Sequence, residues 1–167
     1  YSEGYRPAYN FFQNIFFNAG YESGVFLTNT KETSFTLCGF AAGYPTSDYP
    51  SAPIANGLQL LNCGGIRFID CGFDGCNGNG AYIDGTSKQT LFDGCQFISN
   101  NLYNRGTYYG LYCAGGSHDF TVTNSSALND EGYGYQVAAL YIGSSCNNFI
   151  VANNLFTGSG GGITNNA

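Results

Sequence analysis

The sequence predicts an all-β solenoid in which short strands and polar turns repeat along the chain. Residues 71–73 (Cys-Gly-Phe) and 95–97 (Cys-Gln-Phe) carry the same Cys-x-Phe element, 24 residues apart. A glycine followed by a short alternating strand, residues 80–83, lies between them. This interval holds two strands and two turns but is too short for a helical crossover, so it predicts one coil of a repeat.

The first strand of each coil begins at a glycine or alanine, and the first and third residues after it are apolar. The copies are residues 24–27, 57–60, 80–83, 110–113 and 139–142, with a weaker one at 162–163. Period-two alternation turns the apolar residues inwards and leaves one residue of each copy facing outwards. These outward residues are Phe26, Gln59, Tyr82, Tyr112 and Tyr141. Such a stripe suits a packed subunit or loop as well as a ligand.

A second strand follows each first strand after a short polar turn. The copies are residues 35–40, 68–73, 92–97, 122–127 and 151–156. Inward positions three residues apart require a bend, and each copy has a suitable turn residue there: Leu37, Asp70, Gly94, Asn124 and Asn153. Equivalent residues should then stack from coil to coil as a Cys ladder, a Phe ladder and a short Asn ladder.

The connection back to the next glycine-led strand carries the length variation. It is long at residues 41–56, 98–109 and 128–138, and short at residues 74–79. Insertions confined to one corner of a repeat lie on one side of a solenoid, which is commonly its binding side. We therefore expect residues 41–56 and 99–109 to form two walls of a groove, with Asp74, Cys76 and Asn77 on its floor.

Composition narrows the possible partners. The chain has 167 residues, 43% of them hydrophobic, which is enough for the core of one domain. A net charge of −6 with only five Lys and Arg argues against nucleic acid, and the same field opposes anionic ligands unless local geometry overrides it. No segment is apolar over the length of a membrane span, so membrane insertion is not expected.

Seven Cys residues, an odd number, do not indicate a disulfide framework. No Cys-x-x-Cys pair with His partners suggests zinc, so we expect buried free thiols and neither a metal nor another cofactor.

These features resemble the right-handed parallel β-helix of the pectate-lyase-like superfamily, across about residues 14–165. The loose period and the Tyr-, Asn- and Gly-rich composition are most similar in style to phage tailspike polysaccharide depolymerases. The resemblance implies about five coils in residues 14–167, after an N-terminal extension or partial coil in residues 1–13, within a longer chain. It also implies a host-surface polysaccharide as partner, a homotrimer, and an extracellular or virion-surface location.

By the same resemblance, the expected reaction is glycosidic-bond hydrolysis by two carboxylates. Asp74 lies on the predicted floor, with Asp48 on one wall and Glu131 on the loop two coils away. Levels in a stacked sheet are ~4.8 Å apart, so carboxylates two levels apart can meet the separation of an inverting pair. Three other acids lie at bends or strand ends, where carboxylates usually accept local backbone hydrogen bonds: Asp70, Asp84 and Asp93.

Loop tyrosines are the candidate substrate-binding residues, because their rings stack on sugars while their hydroxyls form hydrogen bonds. The candidates are Tyr49, Tyr103, Tyr108, Tyr109 and Tyr133, together with Asn77 and Arg105. The alternative functions are a non-catalytic glycan-binding or structural shaft, or a polysaccharide lyase or epimerase. His118-Asp119 is similar to the His-Asp of alginate epimerase modules, but it occupies a polar turn, which favours a structural role.

Overall fold

A computed structural model describes residues 9–19, 23–42, 54–102, 108–129, 136–157 and 162–167. Within these ranges the regular structure consists of eighteen short β-strands. They are β1 (Asn10–Gln13), β2 (Phe16–Ala19), β3 (Val25–Thr28), β4 (Thr33–Thr36), β5 (Gly39–Ala42), β6 (Leu58–Leu61), β7 (Arg67–Ile69), β8 (Gly72–Asp74), β9 (Ala81–Asp84), β10 (Leu91–Asp93), β11 (Gln96–Ile98), β12 (Leu111–Cys113), β13 (Thr121–Thr123), β14 (Ser126–Leu128), β15 (Leu140–Ile142), β16 (Ile150–Ala152), β17 (Leu155–Phe156) and β18 (Ile163–Asn165). The described residues include no helix long and apolar enough to cross a membrane.

The strands form three parallel six-stranded sheets that the chain visits in rotation. Sheet A has the order β1-β4-β7-β10-β13-β16, sheet B has β2-β5-β8-β11-β14-β17, and sheet C has β3-β6-β9-β12-β15-β18. Each strand pairs with its equivalents in the neighbouring coils, so the three sheets enclose one core. The predicted all-β parallel β-helix is confirmed. It has six coils in the described residues, the first made by β1, β2 and β3.

One residue in the left-handed region turns the chain from sheet A to sheet B in each coil. The φ angles are 55° at Asn14 in the first coil, then 53° at Leu37, 51° at Asp70, 64° at Gly94, 51° at Asn124 and 58° at Asn153. The last five are the predicted bend residues. What the sequence predicted as one second strand in each coil is therefore two separate strands, one in sheet A and one in sheet B. Asn, Asp and Gly tolerate this conformation best, and Leu37 is the exception.

Two columns of Phe rings fill the core on either side of this bend. Ring centroids in the sheet A column are 4.9 to 5.1 Å apart, and those in the sheet B column 4.8 to 5.3 Å apart. These spacings match the ~4.8 Å between strands, so register sets the stacking. The rings are Phe12, Phe35, Phe68 and Phe92 on sheet A, and Phe17, Phe40, Phe73 and Phe97 on sheet B. The predicted Phe ladder is confirmed.

The seven Cys residues are all buried free thiols, as predicted. Cys38, Cys71 and Cys95 occupy successive levels at the A–B corner, and Ser125 takes the next level, where its Oγ accepts the Cys95 backbone N–H at 3.1 Å. Burial raises the pKa of the Cys76 thiol to about 12. The thiols therefore pack as small apolar groups.

The connections from sheet B to sheet C carry the length variation, which confirms the one-sided arrangement. They span residues 43–57, 75–80, 99–110 and 129–139 between successive strands. Glycines end the first three of these connections because the backbones of adjacent coils approach closely there. A Cβ at Gly57 would lie 2.7 Å from the Gly80 carbonyl oxygen, and one at Gly80 would lie 2.6 Å from that of Gly110.

Candidate functional site

The outer face of sheet C carries an aligned column of side chains, which we call the tyrosine face. Tyr82, Tyr112 and Tyr141 pair in register on successive coils. Gln59 and Phe26 continue the column on one side, and Thr164 continues it on the other. Alternation turns these residues outwards while their strand neighbours enter the core, so the predicted outward stripe is confirmed.

The three tyrosine rings stack on one another. The centroids of Tyr112 and Tyr141 are 4.6 Å apart with an interplanar angle of 9°, and those of Tyr82 and Tyr112 are 5.2 Å apart at 29°. Tyr109 packs at a tilt against Tyr112 and Tyr141, with centroids 5.5 and 4.9 Å away. Stacking covers the ring faces within the column, so the half-buried rings present mainly edges and hydroxyl groups to solvent.

Hydrogen bonds and burial fix the hydroxyl groups of this face. The Tyr82 hydroxyl donates to Asp84 Oδ2 at 3.1 Å. Burial, followed by the negative charge of Asp84, raises the pKa of Tyr82 to about 12. Burial also raises the pKa of Tyr112. Asn166 Nδ2 donates to the Tyr141 hydroxyl at 3.0 Å. The tyrosine face is therefore a row of hydroxyl groups, of which that of Tyr82 is left to accept a hydrogen bond from a ligand.

Buried amides hold the B–C corner beside this face. Asn100 Nδ2 donates to the Phe73 carbonyl at 3.1 Å and to Gln136 Oε1 at 3.2 Å, and Asn100 Oδ1 accepts the Cys76 backbone N–H at 3.3 Å. Gln136 Nε2 donates to the Phe97 carbonyl at 3.2 Å. These bonds satisfy backbone groups where β8 and β11 end, so the two amides hold the corner from which the connections start.

The predicted floor residues lie in different environments. Asp74 ends β8 and is exposed, next to the inward-facing Phe73. Asn77 is fully buried, and its backbone N–H donates to the Ala42 carbonyl at 3.0 Å. Of the predicted binding tyrosines, Tyr108 is half-buried, whereas Tyr109 is only 7% exposed and supports the tyrosine face from within.

The other predicted site residues, Asp48, Tyr49, Tyr103, Arg105, Glu131 and Tyr133, lie outside the described ranges. The pairing of Asp74 with Asp48 or Glu131 therefore stays a prediction.

Other acids form local contacts. Asp93 Oδ1 accepts the Thr123 hydroxyl at 2.9 Å and Asn124 Nδ2 at 2.8 Å, which joins two coils. This role is structural, as predicted, but the partners are side chains instead of backbone groups. His118 Nδ1 and Asp119 Oδ2 are 2.8 Å apart on a turn between sheets C and A, where Asp119 has a φ of 57°.

The sequence analysis missed a group of cations on the turns between sheets C and A. Lys31, Gly64 and Lys88 pair there by parallel bridges, and Arg67 begins β7 close by. The signal was present in the sequence. Lys31, Gly64 and Lys88 each lie four residues before a Phe of the sheet A column, so counting back from that column aligns them.

Comparison with known proteins gives one match. Residues 2–127 match a family model described as a right-handed β-helix region. No match was found among the curated proteins or the solved structures compared with the chain. The matched range runs from the first coil through β13 and includes Tyr82 and Tyr112 of the tyrosine face.

Proposed function

Since the chain belongs to the right-handed β-helix family, we propose that it recognises a carbohydrate along the tyrosine face. Family membership supports a carbohydrate-binding or carbohydrate-processing β-helix in general terms. The observation that carries the proposal is the in-register column of Tyr82, Tyr112 and Tyr141 on a rigid sheet, next to the corner with the variable connections.

A polysaccharide repeats its sugar units, and the tyrosine face repeats equivalent side chains from coil to coil. Strand levels recur every ~4.8 Å, so equivalent hydroxyls recur at a fixed interval along the helix axis. Tyrosines present apolar ring edges and a hydroxyl at little cost in conformational entropy. Gln59 and Thr164 extend the row of polar groups beyond the three rings, and Phe26, which is 53% exposed, adds an apolar contact at one end. The face thus offers matched contacts to several consecutive sugars.

The proposal extends to a host-surface polysaccharide as ligand, at an extracellular or virion surface, with the chain acting as a tailspike-like homotrimer that hydrolyses glycosidic bonds. Asp74, paired with Asp48 or Glu131, is the proposed catalytic residue. The loop residues Tyr49, Tyr103, Arg105, Tyr108 and Tyr133 would contact the substrate. Asp74 is exposed at the end of β8, directly before the short connection that lies between two longer ones, and this position supports its role.

A non-catalytic glycan-binding role is the second candidate, and one observation favours it. Among the described residues, the tyrosine face carries a single carboxylate, Asp84, which already accepts the Tyr82 hydroxyl. Two carboxylates are needed for hydrolysis by the usual route. The face by itself therefore fits binding better than cleavage.

Affinity electrophoresis in gels containing dextran, galactomannan or xyloglucan tests the binding. We expect at least one polymer to retard the protein. Tyr112→Ala should weaken that retardation about tenfold, equivalent to about 1.4 kcal/mol, and Tyr112→Phe should weaken it less because only the hydroxyl is lost. Phe16→Ala is the control, since it removes an exposed aromatic side chain from sheet B.

Equal retardation of all variants, or none by any polymer, would count against the tyrosine face as a binding site. Release of reducing ends from the retarding polymer by the wild type, and its loss in Asp74→Asn, would distinguish hydrolysis from binding alone. Unchanged release by Asp74→Asn would exclude Asp74 as the catalytic acid or base.

A further inference from the structure

A groove of about 790 Å³ runs along the corner between sheets C and A, away from the corner with the long connections. Its lining includes Tyr9, Phe11, Lys31, Glu32, Arg67 and Lys88. We call it the basic groove. It lies outside the tyrosine face, so what it binds is independent of the function proposed above.

Register places the cations on three successive coils. Lys31 bridges to Gly64, and Gly64 bridges to Lys88, so the two lysines are two levels apart, or about 10 Å along the axis. Arg67 extends from the middle coil, where it pairs with Ser34 on one side and Leu91 on the other. The two lysines therefore lie in one column along the helix axis, and Arg67 lies three residues from that column on the middle coil.

These cations have no acidic partner in the described part of the chain. The ion pair found there joins His118 and Asp119, whereas Lys31, Arg67 and Lys88 are exposed and unpaired. The chain has five Lys and Arg residues and a net charge of −6, so three of its five cations are together in one groove. With Glu32, the charged side chains that line the groove sum to a formal +2, opposite in sign to the net charge of −6 of the whole chain.

The middle of the groove is open because Gly64 has no side chain. A Cβ at Gly64 would lie 3.8 Å from Lys88 Cγ, which shows that the lysine stem lies along this glycine. Glu32 also lines the groove and is half-buried. Its carboxylate as a whole is an acceptor for the hydroxyl groups of a ligand.

Exposed aromatic rings complete one end of the groove. Tyr9 is 82% exposed and Phe11 is 64% exposed, and both contribute to the lining. Such rings contact the apolar faces of sugar rings. The groove therefore combines a group of cations, a carboxylate that accepts hydroxyl donors, and aromatic surface.

We propose that the basic groove binds an acidic polysaccharide. Its carboxylate or sulfate groups pair with Lys31, Arg67 and Lys88, with Arg67 able to form a bidentate contact. Its sugar hydroxyls donate to Glu32, and a sugar ring rests on Tyr9 or Phe11. Nucleic acid fits less well, because Glu32 and the net charge of −6 oppose a continuous phosphate backbone.

Binding is measured by isothermal titration with alginate, which carries carboxylates, and with dextran sulfate, with neutral dextran and duplex DNA for comparison. We expect the protein to bind at least one of the two acidic polysaccharides, and this binding should weaken as the salt concentration is raised. Dextran should not bind in this groove. Arg67→Gln should lose about tenfold in affinity for that polymer. Gln96→Glu makes the same change in net charge at an exposed site on sheet B and should change affinity less than twofold.

Gly64→Leu tests the same groove without altering charge. The Gly64 backbone does not adopt a left-handed φ, and an added Cβ meets only Lys88 at ordinary contact distance, so the variant should fold and fill the groove. We expect it to lose binding of the acidic polymer as Arg67→Gln does. The proposal is overturned by no binding to either acidic polysaccharide, by equal losses in Arg67→Gln and Gln96→Glu, by full binding in Gly64→Leu, or by tighter binding of DNA.

Discussion

Single residues in the left-handed region decide where each coil turns. At the A–B bend this conformation is adopted by Asn14, Leu37, Asp70, Gly94, Asn124 and Asn153. Residues with a Cβ incur a steric cost there, which the stacked Phe columns on both sides offset by burial. Since five of these six residues are not glycine, the position in the coil specifies the bend more than glycine does.

Gly94 is the bend residue where a side chain is least tolerable. It has a φ of 64°, and an added Cβ would clash with Asp70 Oδ1 of the preceding coil. We expect Gly94→Ala to lower the free energy of unfolding by about 1 to 3 kcal/mol in urea titrations. Gly72→Ala is the control, since nothing lies within 4 Å of a Cβ there, and it should stay within about 0.5 kcal/mol of the wild type. Equal losses in the two variants would contradict this account.

The bend residues could be predicted from the sequence, because a separation of three positions between the inward Phe and Cys side chains is incompatible with period-two alternation. The cations of the basic groove were not predicted, although the same alignment of successive coils brings Lys31 and Lys88 together. Lys31 and Lys88 lie on short turns, and only their distance from the Phe column shows that they share one line.

The connections at the B–C corner depend on buried amides. Asn100 bonds to the Cys76 N–H, the Phe73 carbonyl and Gln136, so it joins three coils. No solvent can replace these bonds, because the side chain is fully buried. The amide is therefore a structural element of the corner from which the long connections begin.

We expect Asn100→Ala to lower the free energy of unfolding by about 2 to 4 kcal/mol, because it leaves a buried N–H and a buried carbonyl without partners. Ser145→Ala is the control. Ser145 Oγ also accepts a backbone N–H of the preceding coil, from Gly116 at 3.1 Å, but the site is exposed and water can replace the bond. Its loss should be below about 1 kcal/mol. Urea denaturation followed by circular dichroism measures both, and similar losses would show that burial is not the cause.

Strand positions and the one-sided connections followed from alternation and spacing, which are local properties of the sequence. The amide network did not, since Asn100 and Gln136 are 36 residues apart and share no motif. Tyr109 illustrates the same limit. Its place on a predicted loop suggested an exposed binding residue, but its ring packs against Tyr112 and Tyr141 of two different coils.

Across the whole molecule, the reactivity of the buried thiols shows whether the stacked coils keep the core closed. Six of the seven Cys residues are distributed over the three corners and Cys113 lies on β12, and each is buried. Burial raises the pKa of Cys76 to about 12 and also raises that of Cys113. Reagent access is therefore restricted for every thiol in the folded state, and ionisation to the reactive thiolate is also restricted for Cys76 and Cys113.

We expect the native protein to react with 5,5′-dithiobis(2-nitrobenzoic acid) at pH 8 far more slowly than free cysteine does, and all seven thiols to react after denaturation in guanidinium chloride. The absorbance of the released thiolate measures the reaction. Denatured protein at the same concentration is the control. A thiol that reacts in the native protein at the rate of free cysteine would show that its corner of the core is open.

The fold class was predictable because every coil repeats the same pattern of inward apolar residues, bend residue and polar turns. The family match over residues 2–127 agrees with it. Six coils, where about five were predicted, result from β1 and β2, whose Phe12 and Phe17 extend the two aromatic columns by one level. The class of ligand was harder to predict, because it depends on which outward-facing side chains of different coils lie in one column.

The close approach of coils at Gly57 and Gly80 has an evolutionary consequence. The chain leaves sheet B and re-enters sheet C at fixed points, while the connections between them range from residues 75–80 to residues 43–57. A gene encoding such a coil can gain or exchange sequence at that corner while strand register is inherited unchanged. Recognition can then diversify by recombination of whole connections, and the same junctions suit the grafting of foreign loops in the laboratory.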